Sequence, residues 1–376
     1  MIIGILFRWM LLPILIVINT VTQASEGAGL LLDLESRRVI MAENASESLP
    51  AHSTVALMTL YTALELQREL GVDSSRKIEL PRVTTATPTT LKHDLQSSSI
   101  DELECMLLVS GDQLAAHALV NFFSEIGVNF TSEMNRISKR LGLTGSHFVT
   151  PFETNDPEQV TTPTDLAILA EALFRDHPQT RTWSKTRPTD SATTLLDRSN
   201  AIAGVYRHVN KHDGADAVAL FENPRSNGAV RRLLAVKLRA SDGAILDEEI
   251  LSMLGNGYRN YETIQVYTPR DCITELPVYK GNKRAVKVHP QGNVWITVDR
   301  STLIKHSSEK LVVKVHYKAP LVAPLQRGEV IGEVTLSFDS EVVARFPIVG
   351  ADDIAKGNAW RRFVDTLKLA VIIETH

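Results

Sequence analysis

The apolar residues of this chain change their period once, near Glu262, and that change divides the chain into two parts that must fold differently. Before it the spacing is mostly helical. Val55, Leu57, Met58, Tyr61, Leu64 and Leu66 recur at positions that share one helix face and predict a helix over 55–70, with Ser53 just ahead of it in a position suited to capping. The same spacing predicts helices over 100–109, 113–126, 130–141, 163–174 and 247–258. Two short apolar runs, Gly29–Leu34 and Arg38–Ala42, flank Glu35-Ser36-Arg37 and predict a β-hairpin, and Arg232–Leu238 predicts a strand. Residues 80–99, rich in Thr, Ser and Pro, predict a loop. After Glu262, Val294–Val298, Leu311–Tyr317 and Glu329–Phe338 are strand-length runs separated by turn residues, the pattern of a small all-β domain.

The two ends carry membrane-related signals. Residues 1–20 form one apolar run interrupted only by Arg8, followed by Thr22 and Ala24 in the spacing of a signal-peptidase site. This predicts an exported chain with a leader over 1–24, and an uncleaved anchor is the alternative. No other stretch reaches bilayer-spanning length. At the far end Trp360, Phe363, Val364, Leu367, Ala370 and Val371 share a helical face, with Arg361, Arg362 and Lys368 nearby. Such a helix suits the inner-membrane surface, and by periodicity alone it equally suits docking on its own domain. The expected organisation is therefore 1–24 leader, 25–260 mixed α/β (α+β) domain, 261–350 β-rich domain and 351–376 amphipathic helix.

Composition excludes some functions. Lys and Arg number 40 against 44 Asp and Glu, so there is no basic field for a nucleic acid. The two cysteines, Cys105 and Cys272, form no CxxC or Cys/His ligand spacing, and no metal or cofactor is expected.

Several segments in sequence order resemble one family. Ala51-His52-Ser53-Thr54-Val55-Ala56-Leu57-Met58-Thr59 is similar to P-A-S-x-x-K-[LM]-M-T, and Leu107-Leu108-Val109-Ser110-Gly111-Asp112 to L-L-x-S-G-N. Leu141-Gly142-Leu143-Thr144-Gly145-Ser146-His147-Phe148 is similar to L-G-L-x-x-T-H-F, and Ala323–Gly332 to A-P-L-x-x-G-x-x-V-G. Together they resemble the serine D-alanyl-D-alanine carboxypeptidases, the low-molecular-mass penicillin-binding proteins that trim peptidoglycan stem peptides. The resemblance covers nearly the whole chain from Gly29. It implies a penicillin-binding, β-lactamase-like serine DD-peptidase domain, a small all-β domain and a terminal helix serving as membrane anchor.

The residues that would carry the family's chemistry depart from its pattern. The family uses a serine nucleophile with a lysine base three positions on, S-x-x-K, which share a helix face. Here Ser53 stands at the nucleophile position and Ala56 at the base position, and no lysine occurs between Arg38 and Lys77. In the second motif Ser110 remains while Asp112 replaces the amide. The K-T-G triplet, which lies on a strand edge and binds the substrate carboxylate, is expected after Asp213-Gly214, where the chain reads Asp216-Ala217-Val218. A unit charge pair at ~4 Å and an effective dielectric near 20 is worth roughly 4 kcal/mol, so an acid in place of that lysine turns attraction into repulsion.

A serine without an activating base is a weak nucleophile. His52 adjoins Ser53 but does not share its helix face. His93 lies in a loop that by resemblance runs near the cleft, and a lone loop histidine is usually a solvated surface residue. Asp112, Asp213 and Asp216 are brought together only by analogy and do not amount to a metal site. The expectation is a degenerate, non-catalytic member of the family whose partner is a peptidoglycan stem peptide or an envelope protein. The alternative is a working hydrolase in which Ser53 has an unrecognised base, which requires a titratable side chain within hydrogen-bond reach of Ser53.

Overall fold

The computed structural model describes residues 27–81, 96–186, 195–210, 214–224, 230–305, 311–338 and 341–373. The expected leader, His93 and Asp213 lie outside the described residues.

The chain enters as the antiparallel pair β1 (Ala28–Asp33) and β2 (Val39–Glu43), as its hairpin pattern predicts. The short β3 (Leu49–Pro50) and a 3-10 turn at His52–Thr54 lead into α1 (Val55–Leu70). This helix is buried from Val55 to Leu66 because it runs through the middle of a helical layer. Around it stand α2 (Ile100–Ser110), α3 (Gln113–Glu125), α4 (Phe130–Leu141) and α5 (Pro163–Asp176). Between α1 and α2 the small pair β4 (Lys77–Glu79) and β5 (Ser97–Ser99) shortens the expected loop, and β6 (Val160–Thr161) pairs with β3. The helix ends follow capping chemistry: Ser99 forms a capping box with Glu102, and Asn129 and Thr162 cap α4 and α5.

After α6 (Gln179–Trp183) and α7 (Leu195–Arg198), three long strands complete the main sheet: β7 (Ile202–Asn210), β8 (Gly214–Pro224) and β9 (Val230–Ala240). The order is β2-β1-β9-β8-β7, all antiparallel. The helical layer covers one face, and α8 (Gly243–Asn260) covers the other. Of these last three strands only β9 was expected from the sequence. The helix α8 also begins four residues before the expected 247, because Asp242 accepts the backbone N–H groups of Ala244 and Ile245.

The second unit holds β10 (Tyr261–Tyr267), β11 (Thr274–Tyr279), β12 (Ala285–Pro290), β13 (Val294–Asp299), α9 (Arg300–Lys305), β14 (Val312–Tyr317), β15 (Leu321–Val322), β16 (Val330–Phe338) and β17 (Glu341–Gly350). Apart from the β10–β13 pair they form one sheet, β14-β16-β17-β12-β11-β15, over a core of its own. The last element is α10 (Ala359–Ile373). No helix of the described residues is long and apolar enough to cross a membrane.

A buried polar knot joins the two units. Asp33, fully buried, accepts hydrogen bonds from Arg231 Nε at 3.2 Å and from the Thr263 hydroxyl. Arg231 also donates to the Tyr261 carbonyl at 2.8 Å, Ser36 and Thr297 share a hydroxyl bond of 2.6 Å, and Arg38 donates to the Thr297 carbonyl.

Candidate functional site

Ser53 sits in the 3-10 turn that opens α1, beside His52, whose backbone is held at φ +32°. A non-glycine residue there is strained, and a rigid surround must hold it. The side chain of Ser53 does not cap α1. The helix begins after Thr54 with no side-chain cap, and Ser53 Oγ instead donates to Asp216 Oδ2 at 2.9 Å. Its carbonyl accepts the Tyr206 hydroxyl at 2.6 Å, and the residue is only 4% exposed.

Asp216 comes from the sheet. Its other oxygen, Oδ1, accepts the Arg239 backbone N–H at 2.9 Å, so both oxygens are engaged. Burial raises the carboxyl above its ordinary range. The Arg239 N–H, the Ser53 hydroxyl and the nearby His208 and His52 oppose that rise. Burial, with Glu153 and Asp216 adding negative charge, pushes the Tyr206 phenol well above its ordinary value, so it stays a donor.

Ala56 lies one helical turn beyond Ser53, buried in the apolar core, and no base stands at that position. Ser110 ends α2 and donates to the Met106 carbonyl at 2.8 Å. Gly111 closes the helix at φ +63°, and Asp112 starts α3 by accepting the Ala115 N–H at 3.0 Å. The segment is thus a turn and a helix cap, and β7 lies against it. A Cβ added at Gly111 would come within 3.0 Å of His208 Nδ1 and 3.7 Å of the Tyr206 hydroxyl.

The fold thus gathers Ser53, the Ser110–Asp112 turn and Asp216, and adds Tyr206, His208 and Glu153, whose carboxylate lies 4.0 Å from His208 Nε2. The described side-chain hydrogen bond of Ser53 goes to a carboxylate, where the family pattern has a lysine. Chemically the pair Ser53–Asp216 can pass a proton from hydroxyl to carboxylate. Its reach to a substrate is limited by the burial of Ser53.

A model of the D-alanyl-D-alanine carboxypeptidases matches residues 17–212, and a model of the penicillin-binding protein 5 C-terminal domain matches 261–356. The chain belongs to the D-alanyl-D-alanine carboxypeptidase family. Similar relatives include D-alanyl-D-alanine carboxypeptidase DacD of Salmonella typhimurium, 23% identical over 90% of this chain and 89% of its own. DacC of Escherichia coli is 24% identical over 90% and 86%. Penicillin-binding protein 5 from Haemophilus influenzae has the same fold, with a TM-score of 0.75 over 88% of this chain and 97% of its own at 22% identity. The penicillin-binding, β-lactamase-like domain and the all-β domain after it are those of this family.

Within that family fold one expected position needs correction. A K-T-G triplet lies on a strand edge, but Asp216, Ala217 and Val218 stand on β8, which is paired on one side with β9 and on the other with β7. Among the described residues β7 is the outermost strand at that side. Its alternate residues Tyr206 and His208 face Ser53 and Gly111, while Arg207 turns to the other face and pairs with Asp247 at 2.7 Å. Sequence reasoning missed both cleft residues because it did not find β7. A usable signal was present: Ile202, Gly204 and Tyr206 precede a turn around Gly214, as a hairpin requires.

Proposed function

We propose that this chain is a non-catalytic member of the D-alanyl-D-alanine carboxypeptidase family, exported to the periplasm and resting on the inner-membrane surface through α10. Its cleft binds a peptidoglycan stem peptide or an envelope protein without cleaving it. In this reading the family's K-T-G position falls on Tyr206-Arg207-His208 of β7. Positions i and i+2 of a strand share a face, so the family's lysine and glycine would both look into the cleft. Here a buried phenol bonded to the Ser53 carbonyl and an imidazole against Gly111 take their places.

One observation carries the reading: the position of the family's lysine base is the buried methyl of Ala56. Loss of a general base costs on the order of 10²–10⁴ in rate. Loss of the cation for the substrate carboxylate adds to it.

The same 2.9 Å bond favours a second reading, in which Asp216 with its raised pKa is the base of a working serine hydrolase. Intact-mass analysis after incubation with excess benzylpenicillin separates the two, with a relative that retains S-x-x-K as positive control. The non-catalytic reading expects no penicilloyl adduct on the chain while the control is labelled. An adduct that Ser53→Ala and Asp216→Asn both abolish would establish the hydrolase instead.

A further inference from the structure

Two side chains of β7, Tyr206 and His208, reach the site without a chemical role in it. His208 and Asp216 are partners across β7 and β8, so their side chains stand side by side on one face of the sheet. Asp216 holds Ser53 through Oδ2, and His208 stands beside this pair toward the free edge, β7 being the outermost strand there among the described residues. The turn between α2 and α3 lies over it. A methyl group at Gly111 would come within 3.0 Å of His208 Nδ1 and 3.6 Å of its Cε1, so imidazole and turn are already in contact. A peptide strand runs about 4.7–4.9 Å from each neighbour it pairs with, and none fits between β7 and this turn while the imidazole is there.

The two side chains are held differently. Tyr206 is fixed: it is 1% exposed and its hydroxyl donates to the Ser53 carbonyl at 2.6 Å. His208 keeps 21% of its side chain exposed, and the Glu153 carboxylate stands 4.0 Å from Nε2, beyond hydrogen-bond distance. Rotation about χ1 toward solvent therefore breaks no hydrogen bond among the described residues. The wall behind the imidazole is firm. The Glu153 N–H donates to Gln113 Oε1 at 3.4 Å, and the Thr59 hydroxyl donates to the Pro151 carbonyl at 2.6 Å. Buried Gln159 accepts the N–H groups of Val149 and Thr150 and donates to the Phe152 carbonyl. Of the parts that close the slot, His208 is the one free to move.

We propose that His208 is a gate: at rest it shuts the slot between β7 and the Gly111 turn to an extended peptide, and Ser53 is reached once the imidazole swings out. The gate rests on the reading of this cleft as a binding site and regulates entry to it. A partner that comes in over β7 waits on the imidazole, whether or not Ser53 is inert.

The test replaces Ser53 with a thiol and measures access to it, so it reads the gate without a partner and without catalysis. The purified full chain carrying Ser53→Cys is alkylated with iodoacetamide. Mass spectrometry follows the peptide bearing residue 53 and separates it from Cys105 and Cys272. Rates are taken from pH 7 to 9, because a change in thiolate fraction shifts the profile along the pH axis, whereas a change in access raises it at every pH. With His208 in place the thiol reacts about a hundredfold more slowly than in the urea-unfolded chain. Adding His208→Ala raises the rate by roughly tenfold or more, and adding His208→Phe, which keeps the slot filled, does not. Adding Val209→Ala, on the α8 face of the same strand, leaves the rate unchanged. A starting rate close to that of the unfolded chain, no acceleration by His208→Ala, or equal acceleration by His208→Phe or Val209→Ala would each overturn the gate. A chain that binds no envelope partner would overturn the functional reading and leave these rates as they are.

Discussion

Asp216 shows how far a single residue could be understood from sequence. Its acidity stood out as the reverse of a lysine, and repulsion of a substrate carboxylate was the consequence expected of it. In the folded chain that carboxylate is turned onto Ser53 and the Arg239 backbone, a partnership 163 residues apart that no local pattern encodes. Ser53, Ala56, Ser110 and Asp112 were legible because they lie within short motifs. Glu104 was not legible at all: it sits on the inner face of α2, 1% exposed, with Oε1 unbonded. Burial, with Asp101 adding like charge, pushes its carboxyl up to about 8. The native state therefore holds a proton that the unfolded chain releases near 4.5, so the contribution of this group to stability is most favourable below that pH and declines as pH rises toward 8. Each pH unit inside that window costs about 1.4 kcal/mol. Glu104→Gln should flatten the dependence and be the more stable protein at pH 7.5, read by urea denaturation at pH 5.5 and 7.5. Equal pH slopes for the two proteins would rule this out.

At the scale of elements, helices were read well and the sheet poorly, for a physical reason. Helix ends are set by local caps, and Asp112 is one of them. Asp112→Asn keeps a cap oxygen and should change stability by only a few tenths of a kcal/mol, while Asp112→Ala should cost about 1 kcal/mol. Chemical denaturation of both variants checks this; equal losses would mean that the charge, not the cap, matters. The strands β7 and β8 escaped because their residues suit a strand only in context. In β8 the face under α8 is Ala215, Ala217 and Ala219, small residues of weak β preference that the close approach of α8 requires. Missing β7 and β8 put the K-T-G position on an interior strand and hid Tyr206 and His208.

The whole molecule depends on how its parts are tied, and sequence periodicity carries no information on that. Asp33 and Arg231, both buried, link β1 and β9 to the second unit through Thr263 and the Tyr261 carbonyl. Removing one partner strands the other charge, so Asp33→Ala should cost about 3–5 kcal/mol and split one calorimetric transition into two. A single transition shifted as a whole would show that the tie is not what couples the units. The helix α10 has one face suited to each of the two readings that its periodicity leaves open. One side docks: Asp365 accepts the Lys280 N–H at 2.6 Å, Arg361 donates to the Asn282 carbonyl at 3.1 Å, and Leu369 is buried. The other side leaves Trp360, Phe363 and Leu367 exposed at 73%, 57% and 55%. Burying a large apolar side chain is worth about 1.5–3 kcal/mol, so three together far exceed what a docked helix wastes on solvent without a use. Arg362 and Lys368 add attraction to anionic headgroups, roughly 1 kcal/mol for each that reaches the surface. Changing Trp360, Phe363 and Leu367 together to Ser should abolish flotation with anionic vesicles for a chain starting at residue 25. Thermal stability should hold, because the docked face is untouched. Flotation that survives the triple change would place the lipid contact elsewhere on the molecule, and a fall in melting temperature would show that the exposed face packs on protein.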